Sequence, residues 1–350
     1  MSFGRGRICA RLLNSFQKNC RINAQSQARH LSSENGQIMS QPKHEESQNF
    51  ITIAALYAGI FSFFKKDEES PEDKLVMTIK RSILCIQRQE YEKAEQMLHL
   101  ALRMAQDLQS KDGITYVYDV MANLAMEREQ FKKAEKLFAD VMKRLFAEGH
   151  KEDSTKVLHI SSKLAHMAQL EGDLEKSQQG FQWTLQKIEE QMKSLRDDQD
   201  LRELWGLTKN WFGELLMEQG KFEEAKKCFL EAYDVFIAIY GKLNQEAVTI
   251  LNNLSVACTK LDDYPGAKKF LEEAIEVVEQ LPELAEIGIL KANLGLIYLR
   301  EGMIEQAKQV CTFAWRMGKK FDNEGAIQQA DYCLKAIEEV MQNKKHERGS

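Results

Sequence analysis

Proline is nearly missing from this chain, with four in 350 residues. Interrupted loops and edge strands, which draw on proline, therefore have little to be built from. Acidic residues are absent before Glu34, while Arg5, Arg7, Arg11, Lys18, Arg21 and Arg29 fall in that stretch. No run of 18 uncharged apolar residues exists, so an ordinary membrane-spanning helix is not written in the sequence. The nucleotide-binding and hydrolase signatures G-x-x-x-x-G-K-S/T, G-x-G-x-x-G, G-x-S-x-G and H-E-x-x-H are all absent, which argues against the enzyme classes that depend on them. None of the seven cysteines forms a C-x-x-C pair. They read as small buried hydrophobes in a reducing compartment. His159 and His166 lack a third partner for a metal. No cofactor and no metal are expected. The net charge is −5, and cleavage of the basic leader would make the body more acidic still. Nucleic acid, whose binding rests on phosphate neutralisation, is a poor fit.

What the chain has is repetition. NNLSVACTKLDDYPGAKKFLEEA (252–274) and ANLGLIYLREGMIEQAKQVCTFA (292–314) align with a shift of 40. Leu254 answers Leu294, Ser255 answers Gly295, Ala267 answers Ala307, and Ala274 answers Ala314. The small residues share one helical face, where a neighbouring helix must come close. The same anchor recurs at Ala94, Ala134, Ser177 and Ala225, giving steps of 40, 43, 48, 42 and 40 residues. Six such copies predict a stacked array of helix hairpins, none able to bury its own apolar face. The 48-residue step implies longer helices there or a longer loop over 196–200.

This pattern resembles the tetratricopeptide repeat family over about residues 72–320, and IYGKLNQEAVTILNNLSVA resembles its kinesin light chain type. Ser177 in place of Ala and Cys311 in place of Phe depart from the family pattern. The resemblance implies an all-α fold: a right-handed α-solenoid of about six hairpins, then a capping helix over 321–343.

The chain before residue 72 is organised differently. Residues 1–33 have the acid-free, Arg-rich composition of a mitochondrial transit peptide, with a basic cytosolic tail as the alternative. Residues 34–49 read as a polar linker. Phe50–Phe64 is uncharged and closed by Lys65 and Lys66. At 15 residues it spans about 22 Å as a helix, short of the ~30 Å hydrocarbon core. It suits membrane association, either crossing or lying on the surface, or else a packed cap. Ser70-Pro71-Glu72-Asp73 signals a helix start.

Function is expected in the groove lined by the first helix of each hairpin. Asn253 and Asn293 hold one register in consecutive repeats, and a ladder of amides there can bond the backbone of an extended peptide. In kinesin light chain type repeats an asparagine in this slot resembles such a clamp. The alternative is that these amides bridge helices within the array. Trp211 fills the slot one repeat earlier. Lys209, Asn210, Lys260 and Arg300 lie in neighbouring registers and suit an acidic peptide or a carboxylate. If the clamp is right, replacing both Asn253 and Asn293 by alanine weakens capture without altering melting.

Leader, short apolar segment and degenerate repeats, in that order, resemble a mitochondrial inner-membrane branch of the family. That resemblance implies a non-enzymatic adaptor, with the array in the matrix. Its implied partners are respiratory complex III and its Rieske iron–sulfur subunit, whose fragments it would help to clear. The rival readings are a cytosolic adaptor of the kinesin light chain or co-chaperone kind, and an enzyme hidden in a repeat fold.

Overall fold

A computed structural model describes residues 70–195, 198–281 and 286–349, with side chains as far as Asn343. The expected leader, the linker and Phe50–Phe64 lie outside the described residues. Within them are thirteen helices and no strand. They run α1 (Pro71–Gln87), α2 (Tyr91–Asp107), α3 (Lys111–Glu127), α4 (Phe131–Ala147), α5 (Thr155–Glu171), α6 (Leu174–Met192), α7 (Gln199–Glu218), α8 (Phe222–Tyr240), α9 (Gln245–Lys260), α10 (Tyr264–Gln280), α11 (Ile287–Arg300), α12 (Ile304–Lys320) and α13 (Glu324–Gly349). Two compact units divide between Met121 and Ala122, inside α3.

In the unit before that point, α1 packs on α2. Ser70 caps α1, its side chain accepting from the Asp73 amide, and Pro71 follows in the first turn, where no amide hydrogen is needed. Leu75, Ile79 and Ile86 of α1 are buried, as are Leu98, Ala101 and Ala105 of α2.

After Ala122 the chain is an all-α solenoid of hairpins. The repeat anchors explain the packing: Ala134, Ser177, Ala225, Ala267 and Ala307 are fully buried, as is Ala94 in the first unit. A side chain no larger than serine at that position lets the second helix of a hairpin lie close against the first. Gly213, Ser255 and Gly295 serve the same purpose on the first helices. A Cβ on Gly213 would sit 2.5 Å from the Phe229 ring. The turns repeat as well. Asp262 and Gly302 occupy the same left-handed slot, at φ 57° and 79°. At Gly302 the backbone closes as a helix stop, with Gly302 N–H donating to Leu299 O and Met303 N–H to Tyr298 O. The long step before Ala225 comes from helix length together with the connection 193–198: α6 and α7 have 19 and 20 residues, and Asp198 caps α7 by accepting from the Leu201 amide.

Two layers result. First helices touch the next first helix, α5 on α7, α7 on α9 and α11 on α13, while no contact of similar extent joins α6 to α8, α8 to α10 or α10 to α12. The first helices form the inner layer and are buried nearly all round. In α9 eleven of 16 residues are buried, against six of 17 in α10. One core runs from Ala165 to Ile297 through both layers. The helix α13 closes the row, burying Ala326, Ile327, Ala330, Cys333 and Ile337.

The cysteines correct an expectation. Cys85, Cys228 and Cys258 are buried free thiols, but Cys311 of α12 is joined to Cys333 of α13 in a disulfide. The pairing was hidden because it joins two helices 22 residues apart in sequence, and only the docking of α13 brings them together.

Candidate functional site

The inner-layer seams concentrate polar chemistry in an otherwise apolar core. Between α5 and α7, Ser162 Oγ lies 2.7 Å from Thr208 Oγ1, the rings of His166 and Trp211 stack at 4.7 Å, and Gln169 Nε2 donates to Glu218 Oε1 at 3.0 Å. Between α7 and α9, Asn253 Nδ2 donates to Asn210 Oδ1 at 3.1 Å and to Glu214 Oε1 at 3.2 Å. Asn210 Nδ2 donates to the same Glu214 oxygen at 2.9 Å. Between α9 and α11, Asn293 Nδ2 donates to Asn252 Oδ1 at 2.8 Å. Between α11 and α13, Gln329 Nε2 donates to Asn293 Oδ1, also at 2.8 Å.

The Asn252-Asn253 pair is the hinge of this chain. Successive helical residues point about 100° apart, so Asn253 reaches back to α7 while Asn252 reaches forward to α11. Burial matches the bonding. Exposure is 2% at Asn253, 9% at Asn293, 5% at Asn210 and 4% at Trp211. Both amide hydrogens of Asn253 are engaged by the array itself. A peptide could draw on them only by displacing Asn210 and Glu214, so the seam is the first role of these amides. The expectation that replacing them would leave melting unchanged is revised accordingly, since unpartnered buried groups cost stability. Trp211 stacks on His166 of its own array. Lys209 is also held, 2.9 Å from Glu231 and 3.7 Å from Glu189, with its ammonium 4.9 Å from the centre of the Trp205 ring. Lys260 and Arg300 are exposed, one at the end of each of α9 and α11, in matching positions of consecutive repeats.

The sequence reading missed the carboxyls. Glu203, Asn210 and Glu214 fall at spacings of seven and four, one stripe of α7. Burial pushes Glu214 up to about 8, with the amides of Asn253 and Asn210 opposing and Glu218 adding to the rise. Burial likewise pushes Glu203 to about 7, against a hydrogen bond from Tyr240 and with Glu246 and Asp200 nearby. One Glu203 oxygen finds no hydrogen-bond partner among the described residues. The signal available in the sequence was the four-residue spacing of Asn210 and Glu214. Among the described residues no group of three His, Cys, Asp or Glu could hold a metal, and no helix is long and apolar enough to cross a membrane.

Known proteins bear on both fold and family. The tetratricopeptide repeat family profile matches residues 206–280. Among solved structures, BtubC (BKLC) from P. vanneervenii superposes with a TM-score of 0.53 at 21% identity, covering 71% of this chain and 92% of that one. A signal transduction ATPase with a tetratricopeptide repeat sensor, from Pyrococcus horikoshii, gives 0.55 at 16% identity, covering 79% and 42%. At such identities these show the fold alone. Human tetratricopeptide repeat protein 19, mitochondrial, is 25% identical over 270 residues, 74% of this chain and 71% of its own length. The Drosophila melanogaster tetratricopeptide repeat protein 19 homolog, mitochondrial, is 60% identical over 294 residues, 84% of this chain and 80% of that protein. With identity at that level spread across the repeats, the chain belongs to the mitochondrial tetratricopeptide repeat protein 19 family.

Proposed function

We propose that this chain is a non-enzymatic adaptor associated with the mitochondrial inner membrane. Its repeat array holds a protein partner, and the family resemblance points to respiratory complex III and fragments of its Rieske subunit. The observation that carries the binding reading is the pair Lys260 and Arg300. They are exposed cations in matching slots of consecutive repeats, on an acidic protein, where they suit an acidic segment of a partner. Asn253, Asn293, Asn210 and Trp211 then shape the wall behind that segment, and Lys209 is tied to Glu231. Phe50–Phe64 is the proposed membrane-associated stretch, which would raise the effective concentration of the array beside a membrane complex.

The test is co-purification from detergent-solubilised mitochondria, comparing the full chain with its Lys260→Glu, Arg300→Glu double variant. Complex III subunits should accompany the parent, and the variant should recover at least tenfold less at unchanged melting temperature. Equal recovery removes these two residues from the account, and absence of complex III subunits from the parent eluate removes that partner.

A further inference from the structure

We infer that Cys311 and Cys333 form a redox-governed clasp that decides whether the closing helix α13 stays on the last hairpin. Cys311 faces inward from α12 and Cys333 from α13, with Cα atoms 6.2 Å apart and both side chains fully buried. The third wall is α11, where Gly295 leaves the room they occupy. A Cβ there would collide with the Cys311 sulfur and lie 3.2 Å from that of Cys333. Ala307 and Ile337 complete the cluster.

The rest of the α13 attachment is largely apolar. Gln329 donates to Asn293, and Ala326, Ile327, Ala330 and Ile337 are buried, with Leu334 and Met341 packed beside Ile337. A covalent tie between α12 and α13 adds to this apolar contact by fixing the one helix directly to the other. It also guards the end of the polar chain, because loss of α13 takes Gln329 away from Asn293, whose own amide bonds Asn252.

The chemistry is thiol–disulfide exchange with glutathione disulfide. One cysteine thiolate attacks a glutathione sulfur, breaking that S–S bond and releasing one glutathione thiolate. The second cysteine thiolate then attacks the protein-side sulfur of the mixed disulfide and releases the second glutathione. The two protons lost by the protein thiols end on the two glutathione thiols. The protein loses two electrons, and glutathione disulfide gains them. Since neither sulfur reaches solvent in the closed form, exchange in either direction requires α13 to lift first.

The experiment uses the full chain, incubated with glutathione disulfide or with a phosphine reductant. Free thiols are then blocked with N-ethylmaleimide and the chain is digested with trypsin without reductant. The oxidised sample should yield Gln309–Arg316 joined to Phe321–Lys335, and the reduced sample both peptides alkylated. Melting should fall by roughly 5–10 °C on reduction, the shift expected for opening a loop of this size in a domain of about 230 residues. Hydrogen exchange should rise in α13 and in α11 around Asn293. The Cys333→Ala variant should melt alike with or without reductant, while Cys258→Ala keeps the difference. Failure to find the joined peptides after oxidation overturns the clasp. Joined peptides with identical melting and identical α13 exchange in both states would show a crosslink that governs nothing, and would overturn it equally. Neither result depends on which partner the array binds.

Discussion

The seam between α7 and α9 and the seam between α11 and α13 occupy equivalent places in the inner layer, yet they are closed by different chemistry. The middle seam is polar and ionisable, with Glu214 accepting from both Asn210 and Asn253 in a buried site. The terminal seam is neutral, with Gln329 on Asn293 and a disulfide beside Gly295. One backbone plan tolerates both because the small anchors set the helix spacing, leaving the residues between them free to differ. The consequence is a division of sensitivities, with the middle answering to protons and the end to electrons.

Several substitutions can break or sharpen that contrast. The largest effect is expected from Phe229→Ala, which empties the packing of α8 against Gly213 of α7 and should cost roughly 3–5 kcal/mol in urea unfolding; a smaller loss would show that the hairpin beside the middle seam can collapse around the gap. Next comes Asn253→Ala, which takes away one of the two donors to the Glu214 carboxyl and the donor to the Asn210 carbonyl and should cost roughly 1–3 kcal/mol by the same measurement. Asn293→Ala strands only neutral amides and should cost about 1 kcal/mol. Equal costs for the two asparagines would erase the distinction between the seams.

The pH response of the middle seam has a definite sign. Glu214 titrates at about 8 and Glu203 at about 7 in the folded chain, against about 4.3 for an unperturbed glutamate. The folded state therefore binds more protons than the unfolded state between those values. Their contribution is complete below about pH 4, declines as pH rises, and is lost above about pH 8. Glu214→Gln keeps an acceptor for both amides and cannot ionise, so its stability relative to the parent should improve from pH 6 to pH 9. A parallel pair of curves would place the proton elsewhere. The smallest effect is expected at Lys209→Ala, where a partly screened pair with Glu231 should contribute less than about 1 kcal/mol, read as a shift in the urea midpoint.

The repeats were legible because stacking imposes a spatial period that the chain must copy in sequence. Ala134, Ser177, Ala225, Ala267 and Ala307 stood out as small residues recurring every 40 to 48 positions, and each is fully buried. The seams were less legible. A helix such as α9, buried nearly all round, shows no contrast between a face that lines a groove and one that meets its neighbour, so Asn253 could be placed on a register but not assigned a partner. The partnership of Cys311 with Cys333 depended on how α13 lands, which no local pattern encodes.

The sequence by itself determined a row of helix hairpins, where the helices break, and which small side chains let them approach, because these follow from local propensity and a repeated contact distance. Tertiary structure alone decided that Asn252 looks toward α11 while Asn253 looks toward α7, that Glu214 loses its water, and that two distant cysteines become neighbours. Those outcomes belong to residues far apart in the chain, whose energies exist only once the helices have packed.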